Sequence, residues 1–275
     1  MRRLSGSFAV LLLVLLMGTA GVSASRAASD AEIEACLSEG KILKGGEELI
    51  GLTRPLKVEV ECGDRTQTAV FKSLDVHKLG LYTLANGSTV FNFSDCFEYE
   101  RAAYLLDREL GLDMVPVAVI RKHQGREGAL VAWIPDAVHS DRISDSLDAV
   151  TLAALVRQES VMHLFDSLIF NTDRRPPNTL INESTGKLYL IDHTQAFREE
   201  DALQEDFAQN RTFLTEEIYA RLLALDEAKL KELTKGLLTS GQRKSLLLRR
   251  DLIIVKLDRE RSEVGDELFF VDLDR

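Results

Sequence analysis

Ten apolar residues follow one another without a break from Phe8 to Met17, behind Arg2 and Arg3 and ahead of Gly18, Thr19 and the small triplet Val22-Ser23-Ala24. A positively charged start, a short apolar run and small residues before a cleavage point are the three parts of a signal peptide. A membrane span needs roughly 20 apolar residues, and this run ends well short of that. The pattern therefore predicts export, with residues 1–24 removed and a soluble mature chain starting near Ser25.

Further along, from Ile42 to Asp75, the period becomes two. Leu56 to Cys62 alternates apolar and polar residues, Gly63-Asp64 marks a turn, and Thr68 to Leu74 resumes an apolar run. That predicts a β-hairpin. The Gly, Asn and Ser-containing stretch from Leu79 to Ser94 reads as a long loop. From Asp95 the period lengthens, with Phe97, Ala102, Leu105, Leu106 and Leu110 at helical spacing and Gly111 as the stop. Two short strands follow, Val115 to Lys122 and Ala129 to Ile134, around a turn at Gly125.

Beyond Pro135 the pattern is mostly helical. Leu147 to Leu168 carries an apolar face through Leu152, Leu155, Val156, Val161, Leu164, Phe165 and Leu168. A polar loop, Asn171 to Asn178, interrupts it. A hairpin around Thr185-Gly186 comes next, from Thr179 to Asn182 and from Lys187 to Ile191, and residues 216–261 are helical with one charged face. Strands first and helices second, with the break near Pro135, give an α+β chain in two parts, 25–135 and 136–275.

Composition narrows the partners. The net charge of −10 becomes about −12 without the two leader arginines, and no basic run of five or six residues occurs anywhere. Nucleic acid and anionic membrane surfaces are thereby disfavoured. The three cysteines, Cys36, Cys62 and Cys96, lack the C-x-x-C spacing of a zinc site. In an oxidising compartment one pair of them can form a disulfide and leave one thiol over, and the sequence does not choose the pair. The five histidines show no metal-ligand spacing and read as structural or surface residues. Four glycosylation sequons begin at Asn86, Asn92, Asn182 and Asn210.

Chemistry concentrates in the polar loop. It reads Asn171-Thr172-Asp173-Arg174-Arg175-Pro176-Pro177-Asn178, and Asp192 closes the strand that follows. Phosphoryl transfer asks a protein for an acidic group to orient the nucleophile's proton and for oxygen ligands that hold metal on the phosphates. Asp173, Asn178 and Asp192 supply those groups from one short stretch. Upstream, Ala69-Val70-Phe71-Lys72 sets a lysine in a strand of buried character, and Glu100, or alternatively Glu98, can pair with it from the next helix. A strand lysine alone is more often a solvated edge residue, and an Asp in a Pro-rich loop more often a turn former. Five such residues in the order a kinase requires point instead to a phosphate-and-metal site. Gly45-Gly46 and Gly51 are weaker candidates to line the phosphates, since no G-x-G-x-x-G is present.

The segment LFDSLIFNTDRRPPNTLINESTGKLYLIDHTQAF, Leu164 to Phe197, resembles the catalytic core of atypical kinases: the HipA-type kinases, the phosphatidylinositol kinases and the secretory-pathway kinases of the Four-jointed and casein-kinase group. YERAAYLLDRELGLDMVP, Tyr99 to Pro116, is similar to a helix of the secreted group whose glutamate falls on Glu100. Arg175 stands where these families commonly have His, and Asp192-His193-Thr194 replaces Asp-Phe-Gly. The resemblance, from about Gly45 to Phe197, implies a bilobal protein-kinase-like fold that binds ATP with Mg²⁺ or Mn²⁺. Lys72 and Glu100 would be its ion pair, Asp173 the catalytic residue, and Asn178 and Asp192 the metal ligands. Val131 to Pro135, with Val131 and Trp133 at the cofactor, would be a hinge meeting adenine. The expected activity is phosphorylation of a Ser or Thr hydroxyl on an exported protein. A kinase of sugars or lipid headgroups, and a pseudokinase that binds nucleotide or a partner without transfer, are the alternatives. The compartment would be the periplasm or the exterior for a bacterium, and the secretory lumen for a eukaryote.

Overall fold

The computed structural model describes residues 28–273 apart from positions 44, 50–54, 84–86, 88 and 145–146. The expected signal peptide lies outside the described residues, as do Gly51 and Asn86 of the first sequon.

The amino-terminal half is built on an antiparallel six-stranded sheet. Its strands are β1 (Lys41–Ile42), β2 (Glu47–Glu48), β3 (Leu56–Cys62), β4 (Arg65–Lys72) and, after the intervening elements, β7 (Ala118–His123) and β8 (Arg126–Ala132). The order is β1-β3-β4-β8-β7, with β2 also paired to β3. The predicted β3–β4 hairpin closes at Cys62↔Arg65 around Gly63, whose φ of 69° needs a residue without a Cβ. Alternation sends Val58, Val60, Ala69 and Phe71 into the core. Helix α2 (Glu98–Leu110) lays Ala102, Ala103, Leu106 and Leu110 against that core and ends at Gly111 in the left-handed conformation, as its spacing predicts.

Two elements differ from expectation. Residues Leu79 to Ser94 are not a long loop: β5 (Asp75–Thr83) and β6 (Thr89–Cys96) pair as a two-stranded ladder. The ladder carries a bulge between Lys78 and Leu81, where Gly80 takes φ 79°. Gly80 and Asn92, whose side-chain oxygen accepts from the Gly80 amide at 2.9 Å, serve that bulge and do not end the strands. The second is helix α1 (Asp30–Glu39), for which the sequence raises no expectation and whose large apolar residues are only Ile33 and Leu37. Ser29 and Glu32 nevertheless form a reciprocal capping box at its start. Cys36 of α1 is joined to Cys62 of β3 by a disulfide, which leaves Cys96 as a buried free thiol.

The carboxy-terminal half is mainly helical. Helix α3 (Ala149–Ile169), capped by the Asp148 side chain on the Val150 and Thr151 amides, runs through the core. Strands β9 (Val138–His139), β10 (Thr179–Asn182) and β11 (Lys187–Leu190) make a small antiparallel sheet in the order β11-β10-β9. Helices α4 (Glu205–Gln209), α5 (Glu216–Ala224), α6 (Glu227–Leu233), α7 (Ser240–Val264) and α8 (Asp266–Phe269) complete this half. Arg249 of α7 is fully buried and donates to the Leu168, Arg198 and Glu200 carbonyls. It thereby ties the end of α3 to the segment after Phe197. One continuous apolar core joins both halves.

Candidate functional site

Lys72 is the last residue of β4, and Glu100 lies in the first turn of α2. Lys72 Nζ contacts Glu100 Oε1 directly and sits 3.0 Å from Asp192 Oδ1. Burial works against the lysine's charge, but the carboxylates of Asp192 and Glu100 outweigh it and hold the ammonium protonated well above its ordinary range. Burial likewise opposes charge on Glu100, and Lys72 together with His193 holds it ionised below the usual carboxylate range.

Behind this pair the network continues inward. His193, with no exposed surface, lies with Nδ1 3.4 Å from Glu100 Oε2 and Nε2 3.1 Å from Arg174 Nη2. Arg174 can only donate, so Nε2 accepts and Nδ1–H faces Glu100. Burial depresses the His193 pKa, in keeping with a neutral ring. Arg174 then forks onto Asp166 at 2.8 and 3.0 Å and donates to the Ile191 carbonyl at 3.0 Å and to that of Asn178. Sheet, helix α2, helix α3 and the polar loop are thus locked together by one charged chain. His193, expected to be a structural or surface residue, is a structural one, whereas no role for Arg174 or Asp166 is legible in the sequence. Their signal was present only as an Asp and an Arg eight residues apart, which says nothing until α3 and the loop fold back on each other.

The Asn171 to Asn178 loop is rigid for local reasons. Asn171 donates from Nδ2 to Asp166 Oδ1 at 3.0 Å, and its Oδ1 accepts from the Asp173 amide at 3.2 Å. Pro176 and Pro177 start a 3-10 turn, Pro176–Asn178, that swings Asn178 back. Asn178 Nδ2 then donates to the Asp173 carbonyl at 2.7 Å and to Asp173 Oδ2 at 3.1 Å. Both contacts use the amide nitrogen and leave the amide oxygen, the atom a cation takes. Arg175 Nε lies 3.3 Å from Asp173 Oδ1. Burial raises the Asp173 pKa; Arg175 draws it back and Asp192 adds to the rise. Asp192, just past β11, adopts a left-handed φ of 63°, a conformation that Asp tolerates better than most residues, and accepts from Thr194 Oγ1 at 3.2 Å.

These groups face one cleft of about 750 Å³. Lys72, Asp173, Asn178 and Asp192 supply its polar side, and Val70, Val131, Leu180 and Ile191 part of its apolar side. Nucleotide-sized ligands occupy clefts of this size, about 300–1,000 Å³. Val131 sits in the sheet between Val70 and Ala118. Trp133 also lines the cleft, with Lys57 Nζ 4.1 Å from its ring centroid. Its amide donates to the Thr68 carbonyl at 3.0 Å, which leaves its carbonyl and ring to face the cleft's contents. Glu47, Glu48 and Leu49 reach the cleft, whereas Gly45 and Gly46 stand just outside its lining. Asp95 is a lining residue that the sequence reading missed. It is buried, its Oδ1 has no hydrogen-bond partner, and burial raises its pKa. An orphaned carboxylate oxygen beside oxygen donors suits a hard divalent cation, so the residues present fit a metal-nucleotide complex.

No protein-family model matches this chain, and no curated protein matches it in sequence. Solved structures match it in fold. A hydra Fam20 protein solved with sugar superposes with a TM-score of 0.59 at 16% identity, over 88% of this chain and 91% of that one. The Golgi casein kinase superposes with a TM-score of 0.59 at 15% identity, over 88% of this chain and 77% of that one. The chain therefore has the α+β, protein-kinase-like fold of these Fam20 and casein-kinase structures.

Proposed function

We propose that this protein is an exported atypical kinase, transferring the γ-phosphate of ATP to a hydroxyl, in the first instance a Ser or Thr of an exported protein. The observation that carries the reading is the convergence of Lys72, Glu100 and Asp192 in one contact chain, with Asp173 and Asn178 across the same cleft. In this reading residues 25–135 form the nucleotide lobe and 136–275 the catalytic lobe, with Val131 and Trp133 beside the base. Lys72, oriented by Glu100, meets the phosphates. Asp192 and the Asn178 amide oxygen would hold Mg²⁺ or Mn²⁺, which would neutralise phosphate charge. Asp173 orients the acceptor hydroxyl and takes its proton, while the β-phosphate oxygen of ADP leaves with the bond electrons.

Two observations favour other readings of the same cleft. The hydra Fam20 structure holds a sugar, which makes a sugar hydroxyl the alternative acceptor. Arg175 engages Asp173, which favours a pseudokinase that binds nucleotide without transfer. Among the described residues no helix is long and apolar enough to cross a membrane. Thermal-shift measurements with ATP, with and without Mg²⁺ or Mn²⁺, test the site; radiolabel transfer to exported-protein extract and to free sugars tests the acceptor. Metal-dependent stabilisation with protein labelling supports the first reading. Stabilisation with sugar labelling alone supports the second, and stabilisation without any transfer the pseudokinase. No stabilisation with either metal contradicts all three.

A further inference from the structure

We propose that Asp75, His77 and Cys96 form a transition-metal site of the zinc class, separate from the kinase cleft. Neither the cysteines nor the histidines show a local ligand spacing, so the site is invisible along the chain and is made by strand register. In the β5–β6 ladder Asp75 stands directly opposite Cys96. His77 lies two residues beyond Asp75 and so projects from the same face.

The donor atoms converge accordingly. His77 Nε2 lies 3.1 Å from Asp75 Oδ1 and 3.2 Å from Cys96 Sγ, and all three ligand atoms fall within 4.8 Å of one another. Zinc bond lengths place tetrahedral N···O and N···S edges at about 3.3 and about 3.5 Å, close to these separations. One thiolate, one imidazole and one carboxylate make a borderline-soft set that selects zinc or cobalt over magnesium or calcium. Cys96 is available because the Cys36–Cys62 disulfide leaves it free. It is buried, whereas Asp75 and His77 are exposed, which gives a metal a way in.

A second observation lies beside the three donors. Glu98, at the start of α2, has a buried Oε2 without a hydrogen-bond partner, and its carboxyl interacts electrostatically with Asp75 and His77. The inference does not depend on the kinase reading.

The test is Co²⁺ titration of the metal-free mature protein, followed by thiolate-to-cobalt charge transfer in the near ultraviolet and by displacement with Zn²⁺. One equivalent should bind with a charge-transfer band that Zn²⁺ abolishes. His77→Ala alters an exposed side chain and should keep the fold while weakening binding about tenfold or more. Cys96→Ser should lose the band, and Asp192→Asn should retain it. Absence of the band in the wild-type protein, equal affinity in His77→Ala, or loss of the band in Asp192→Asn would each overturn the proposal and leave the three side chains as a hydrogen-bonded group.

Discussion

Replacing Glu100 by alanine should be far more damaging to the fold than replacing Asp192 by asparagine, although both contact the same ammonium. Glu100 is 1% exposed and serves two partners, Lys72 and His193. Removing one member of a buried pair costs about 3–5 kcal/mol, because the other is left charged and desolvated. Lys72 keeps Asp192 at 3.0 Å, which puts Glu100→Ala at the low end, about 3 kcal/mol. For a chain of this size that lowers the unfolding temperature by roughly 6–12 °C. Asp192 has a side chain 35% exposed, and Lys72 retains Glu100 without it. A partly solvated pair contributes at most about 1 kcal/mol, and asparagine tolerates the left-handed backbone of this position. Urea denaturation of the nucleotide-free proteins measures the contrast. If Asp192→Asn costs as much as Glu100→Ala, or Glu100→Ala costs less than about 1 kcal/mol, the reasoning on burial is refuted.

Other consequences are open to simple measurements. Because burial raises the Asp173 pKa, the acidic limb of transfer activity should lie above the ordinary carboxylate range, near 4, with activity lost as pH falls through it. Arg175→Ala removes the charge that draws this pKa back, so the limb should move to higher pH; a limb that stays or moves lower contradicts the assignment. Replacing both Cys36 and Cys62 by alanine opens a loop of 26 residues and should cost about 3.5 kcal/mol in urea titrations, whereas no change would mean that the bridge is dispensable. Arg249→Met leaves three carbonyls without their donor, and should destabilise the chain by about 2–4 kcal/mol and expose residues 198–204 to limited proteolysis.

Much of this architecture is written locally. Alternation around Gly63-Asp64 specifies the β3–β4 hairpin, and the three-and-four spacing from Phe97 to Leu110 specifies α2. Lys72, Glu100, Asp173, Asn178 and Asp192 stand out in the sequence because their types and order resemble those of atypical kinases, and the fold brings Lys72, Asp173, Asn178 and Asp192 to one cleft. What stayed hidden depends on contacts distant in sequence. The β5–β6 ladder reads as loop because its bulge uses Gly80 and Asn92, the same residue types as a loop, and α1 offers only the Ser29-Glu32 cap and a short apolar pattern, Ile33, Cys36 and Leu37. Asp95, Asp166, Arg174 and His193 carry no local signature at all. Their roles come from burial and from partners as much as 93 residues away, as with His193 and Glu100.

The central claim, that one cleft holds nucleotide through Asp192 and acts on a hydroxyl through Asp173, is tested most directly by calorimetry on Asp192→Asn and Asp173→Asn. ATP would be titrated with Mg²⁺ or Mn²⁺, and transfer assayed on the same preparations. Both variants should lose transfer; only Asp192→Asn should lose metal-dependent binding, while Asp173→Asn retains most of it. Equal binding losses in the two variants, or undiminished binding in Asp192→Asn, would contradict the division of roles.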